Sequence, residues 1–108
     1  MTDATEFVEK ELNRYRKAFV ELDLPDYMWA STRRYVAQGI PPGHFLSAVI
    51  SNNLSEAVAH GDDINSRCLP QWVKFFYNNP PGQCWGSPER FDNWIKAGGM
   101  CGLHEAKT

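Results

Sequence analysis

The sequence predicts an all-α protein, a single domain of about five helices. Three observations carry that prediction. Apolar residues recur at steps of three and four, the breaks between recurring stretches are proline and glycine turns, and no strand-length segment alternates apolar with polar residues. The 108 residues are 43% hydrophobic, 13% aromatic and 22% charged, a balance that excludes general disorder and suits one buried core.

The first element spans Glu6 to Leu22, where Val8, Leu12, Tyr15, Phe19 and Leu22 trace one apolar stripe, with Glu6 and Lys10 paired on the wet side. Leu24-Pro25-Asp26 breaks that pattern, and Pro25 is placed to start the next helix. From there to Gln38, Met28, Trp29, Thr32, Tyr35 and Val36 share a face, and Gly39 follows as a left-handed cap. Ile40-Pro41-Pro42-Gly43 forms a stiff turn into a third helix from about His44 to His60, with Leu46, Val49, Ile50, Leu54 and Ala57 inward and Gly61 ending it.

Asp62 or Asp63 caps a fourth helix reaching about Asn78, whose inward set is Cys68, Leu69, Trp72, Phe75 and Phe76. Pro70 either bends this helix or divides it into two pieces, standing in the first turn of the second. Asn79-Pro80-Pro81-Gly82 repeats the earlier turn chemistry. Ser87 as N-cap, Pro88 behind it and Glu89 in the first turn then start a last helix, with Phe91, Trp94 and Ile95 inward, Asp92 and Lys96 paired, and Gly98-Gly99 stopping it. Residues 1–5 and 100–108 are expected to fray.

Two carboxamides fall on apolar faces. At 100° per residue Asn53 sits in the Leu46, Val49, Ile50 and Ala57 stripe of the third helix, and Asn65 lies in line with Cys68, Leu69 and Trp72. The tight Gly61-Asp62 turn makes those two helices antiparallel neighbours, so both amides enter one seam. An unpaired buried amide costs about 1 to 3 kcal/mol. Each must therefore join an internal network that sets helix register or, with Tyr35 or Tyr77, form the polar floor of a shallow pocket.

Arg34, Arg67 and Arg90 stand near aromatic residues, where a guanidinium pairs with phosphate or carboxylate and stacks on rings; solvated surface is the plainer reading. Trp85, in the Gly82–Ser87 loop, either plugs the bundle end or serves as an interface anchor.

Catalytic and metal signatures are weak. Cys68, Cys84 and Cys101 include no closely spaced pair and read as free thiols; a site from Cys84, Cys101 and His104 lacks the usual two paired spacings, so neither metal nor cofactor is expected. His60-Gly61-Asp62-Asp63 pictures as an acid–base cluster, yet the helix dipole and Glu56 one turn earlier explain His60. Ser47, Ser51 and Ser55 have no histidine base at suitable spacing, and no phosphate loop occurs. A non-enzyme is expected.

The stretch Arg34-Tyr35-Val36-Ala37-Gln38-Gly39-Ile40-Pro41-Pro42-Gly43-His44-Phe45-Leu46, then Asn52-Asn53-Leu54-Ser55-Glu56-Ala57, Tyr77-Asn78 and Cys84-Trp85-Gly86-Ser87-Pro88-Glu89-Arg90, resembles a group of small uncharacterised proteins encoded by bacteriophages and prophages. The likeness covers about Arg34 to Gly99. It implies a small accessory protein acting inside an infected bacterium and supplies no catalytic residues.

The expected function is therefore non-catalytic: stoichiometric binding that modulates a host bacterial protein, such as a defence protein, by a chain that is itself an oligomer if the first helix buries its stripe on a second copy. A nucleotide-sequestering protein, with Arg34, Asn53 and Arg67 near the ligand, is the alternative. Nucleic-acid binding through Arg33, Arg34, Arg67 and Lys74 ranks third, because the net charge is −2. No apolar run approaches the roughly 20 residues of a membrane span, and Met1–Thr5 shows no leader, so the cytoplasm of the host is the expected compartment.

Overall fold

The computed structural model describes residues 2–107, with side chains over 5–104. The described residues are all-helical: α1 (Thr2–Glu21), α2 (Trp29–Gln38), α3 (His44–Ile50), α4 (Leu54–His60), α5 (Asp63–Arg67), α6 (Leu69–Asn78), α7 (Pro88–Ala97) and α8 (Gly99–Lys107), with single 3-10 turns before α2 and after α6. Among them no strand occurs. The radius of gyration, 13.4 Å, matches the about 13 Å expected of a folded chain this long.

Eight helices stand where about five were expected, for three local reasons. The third predicted helix breaks at Asn52, which adopts a positive φ of 64°. Asparagine tolerates that conformation better than most residues. Asn53 then caps α4, its Oδ1 accepting from the Glu56 N–H at 3.2 Å. The fourth predicted helix divides at Cys68, so the two-piece reading of Pro70 is the observed one, with the proline in the first turn of α6, where its missing N–H costs nothing. Finally, the stretch from residue 100 that was expected to fray continues as α8, with Met100 buried, Leu103 partly buried and the His104 ring 4.7 Å from that of Phe7 on α1. Residues 2–5, also expected to fray, belong to α1, while positions 1 and 108 lie outside the described residues.

The α1 stripe packs against the rest of the chain, with Val8, Leu12, Tyr15 and Phe19 buried and Leu22 partly so, which removes the ground for a second copy on this helix. Phe19 sits at the centre of the aromatic core, edge-on to Trp29, Trp72 and Phe75 at 5.1, 5.6 and 5.6 Å. Trp72 extends that cluster to Phe45 on α3. Edge-to-face pairs of this kind add about 0.5–1.5 kcal/mol beyond area burial.

Gly39 closes α2 at φ 68°, the predicted left-handed cap. Space requires glycine there too, because a Cβ would come within 2.8 Å of the Trp94 carbonyl and 2.9 Å of the Gly99 N. Backbone thus meets backbone where α2 abuts the α7–α8 junction, and the Trp94 indole donates to the Tyr35 carbonyl at 2.9 Å beside it.

Candidate functional site

The seven residues singled out from sequence do not converge. Tyr35 is fully buried and donates its hydroxyl to the Cys84 carbonyl at 2.6 Å; burial holds the phenol neutral far above its ordinary range. It anchors the loop between α6 and α7 from beneath and offers nothing to a ligand. Arg90 clamps the same loop from outside, donating to the Gly82 carbonyl at 3.1 Å, while the Gly86 N–H reaches the Ile50 carbonyl at 2.7 Å. Trp85 lies between these ties, half-buried, its ring stacked 6.0 Å from Phe76. Arg34 and Arg67 are exposed.

The asparagine seam is corrected in half. Asn65 is buried, as expected, and its Oδ1 accepts from the Trp72 indole at 3.2 Å, tying α5 to α6. Asn53 is exposed and spends its side chain on the α4 cap, because the chain turns at Asn52 and never carries the amide inward. The same turn leaves Leu54, expected inward, 68% exposed. Sequence held a signal for this break: Asn53-Leu54-Ser55-Glu56 has the cap and acid spacing of a helix N-terminus.

That turn also builds a site. In one continuous helix His44 and His60 would stand about 24 Å apart; with α3 and α4 folded back as an antiparallel hairpin, their rings stack at 5.1 Å and 26°. The stacked imidazoles form a ridge between two hollows. One, of about 350 Å³, is walled by Tyr27, His44, His60 and Asp62 over Met28, Phe45 and Leu46, with Asn65 at its edge. The other, about 220 Å³, includes Ser47, Ser51, Asn53 and Glu56.

Polar groups around the larger hollow are held in place. The Asp62 Oδ1 accepts from the Asn65 N–H at 2.7 Å as the α5 cap, and its Oδ2 accepts from the Tyr27 hydroxyl at 2.6 Å. The Tyr27 hydrogen bond, then that backbone N–H, hold the carboxyl below the usual carboxylate range, and the Tyr27 phenol is pushed up in turn. Glu56 Oε2 is 3.5 Å from His60 Nε2. Gly61 fits tightly between Phe45 and Ser66, since a Cβ there would fall 2.8 Å from both the Phe45 ring and the Ser66 hydroxyl. Sequence reading considered the His60–Asp63 stretch and set it aside; Tyr27 and His44 were missed, because their neighbours are distant in the chain.

A second feature borders this region. Leu54 and Val58 on α4, Ile64 on α5, and Val73 and Tyr77 on α6 are exposed, at 68, 53, 53, 46 and 76%. Leu54 with Val58 and Val73 with Tyr77 are each one turn apart and share a helix face. Tyr77 meets the Trp85 ring edge-on at 6.5 Å.

Among the described residues no group of three or more His, Cys, Asp or Glu side chains is placed to hold a metal ion, and no helix is long and apolar enough to cross a membrane. Burial pushes the Cys84 thiol up to about 12, which favours its protonated form. The larger hollow offers an apolar base with hydrogen-bonding side chains, and the smaller one places Ser47 and Ser51 with His44, His60 and Glu56. Comparison with protein-family models, with curated proteins and with solved structures returns no match.

Proposed function

We propose that the chain is a non-catalytic binding protein whose α4–α6 segment covers a surface of another protein. The observation that carries this reading is the run of uncovered apolar side chains Leu54, Val58, Ile64, Val73 and Tyr77 on three successive helices. Large apolar side chains left uncovered one turn apart on a helix, as Leu54 with Val58 and Val73 with Tyr77 are, are what partner surfaces cover. Tyr77, standing against Trp85, supplies the large amphipathic anchor that protein interfaces favour. The resemblance to phage-encoded proteins makes the partner a host bacterial protein and the effect modulation by occupancy.

The nucleotide alternative has less support, because neither the Asn53 hollow nor the Asn65 hollow includes Arg34 or Arg67 in its lining. Nucleic-acid binding loses Arg33, which pairs with Glu9 at 2.7 Å.

The test is affinity capture from bacterial lysate with wild type beside a Val73→Asp, Tyr77→Ala double variant. Wild type is expected to retain a protein in near one-to-one ratio and the variant to lose it, with unchanged helical circular dichroism. Equal capture by both, no capture by either, or light scattering showing that wild type self-associates and the variant does not, would each overturn the proposal, the last by giving the surface to a second copy.

A further inference from the structure

The hollow beside the histidine ridge has a chemistry that identifies its occupant. We propose that the cleft bounded by Tyr27, His44, His60 and Asp62 receives an arginine side chain of the partner protein. This rests on the binding-protein reading and gives that partner a recognisable feature.

Three observations lead there. The cleft, about 350 Å³, has an apolar base of Met28, Phe45 and Leu46, which suits the methylene stem of a long side chain. Its walls include the Tyr27 phenol, a ring of the type on which a planar, weakly hydrated guanidinium stacks better than a compact ammonium. Its only carboxylate, Asp62, is already oriented through both oxygens by the Tyr27 hydroxyl and the Asn65 N–H. Each of those oxygens keeps a second acceptor site, and two parallel acceptors match the guanidinium fork.

Charge agrees with shape. Asp62 lines the cleft, Glu56 lies across the ridge and Asp63 follows in sequence, while neither lysine nor arginine contributes to the lining. The Tyr27 hydrogen bond also favours the ionised form of Asp62, the form that accepts from a guanidinium.

The decisive experiment is NMR titration of the ¹⁵N-labelled chain with acetyl-Gly-Arg-Gly-amide and with the same peptide carrying citrulline, which keeps the shape and loses the charge. Saturable shifts of the His44, Gly61 and Asn65 amides are expected with the arginine peptide, with about tenfold weaker binding of the citrulline peptide. Asp62→Asn should erase that difference while leaving α5 folded, because asparagine caps helices as well as aspartate does. Tyr27→Ala should weaken the arginine peptide.

Equal binding of the two peptides, no saturable shift, or an unchanged preference in Asp62→Asn would overturn the assignment. The lysate experiment fails separately, since it reads dependence on Val73 and Tyr77, which do not line this cleft. Tyr77-dependent capture without arginine preference removes the cleft alone. Arginine preference without capture removes the wider surface and leaves a guanidinium site.

Discussion

Helices α4 and α6 are opposites in what the fold asks of them. Over Leu69–Asn78, α6 buries Trp72, Phe75 and Phe76 completely and meets α1 and α3 through their rings. Over Leu54–His60, α4 buries Ala57 alone. It is positioned instead by its Asn53 cap and by the stacking of His60 on His44. Apolar burial therefore concentrates in α6, while α4 presents nearly all of its side chains outward. A region held by few apolar contacts is also the one free to use its surface.

The largest test of that contrast is Trp72→Ala. It removes the ring joining Phe19, Phe45 and Phe76 and strands the Asn65 carbonyl. A loss of about 3–5 kcal/mol is expected in urea unfolding. A loss within about 0.5 kcal/mol, the range of ordinary surface changes, would place the core elsewhere.

Alkaline titration probes the same side of the comparison. Burial pushes the Tyr15 phenol from 10.0 to about 12, with the Glu11 carboxylate adding to it, and the Cys84 thiol from 9.0 to about 12; Tyr35 rises further. The unfolded chain gives up these protons first. The folded state binds more protons across that interval, so stability that is complete below about pH 9 should fall steadily as pH rises toward 12. Thermal unfolding followed from pH 8 upward checks this, and a flat midpoint would contradict the burial.

The smallest effect belongs to α4. Asn53→Ala should cost about 1 kcal/mol through loss of the cap to Glu56. Because α4 holds one wall of the cleft, the same substitution should blur the His44 and His60 NMR resonances before global unfolding begins. A loss comparable to that of Trp72→Ala would erase the distinction between the two helices.

Much of this was legible from residue spacing. The α1 stripe, the Gly39 cap, the Ser87 cap with Pro88 behind it, and the Trp72, Phe75 and Phe76 face all sit where periodicity and cap chemistry put them. These are local consequences of side-chain geometry within a few residues. The break at Asn52 was overlooked because the apolar steps run through it, although the Asn53–Glu56 spacing announced a new start. The α8 helix was overlooked because Gly98-Gly99 suggests an end, whereas Gly99 comes close to Gly39 where α8 meets α2.

Local chemistry in the sequence determined that this protein is helical, where most helices begin, and which faces turn inward. Only the tertiary structure decided that His44 and His60 stand ring to ring and that Tyr27 holds Asp62 across the chain. A single residue in a left-handed conformation reverses the chain direction, and the partners which that reversal brings together are set by packing rather than by their spacing in sequence.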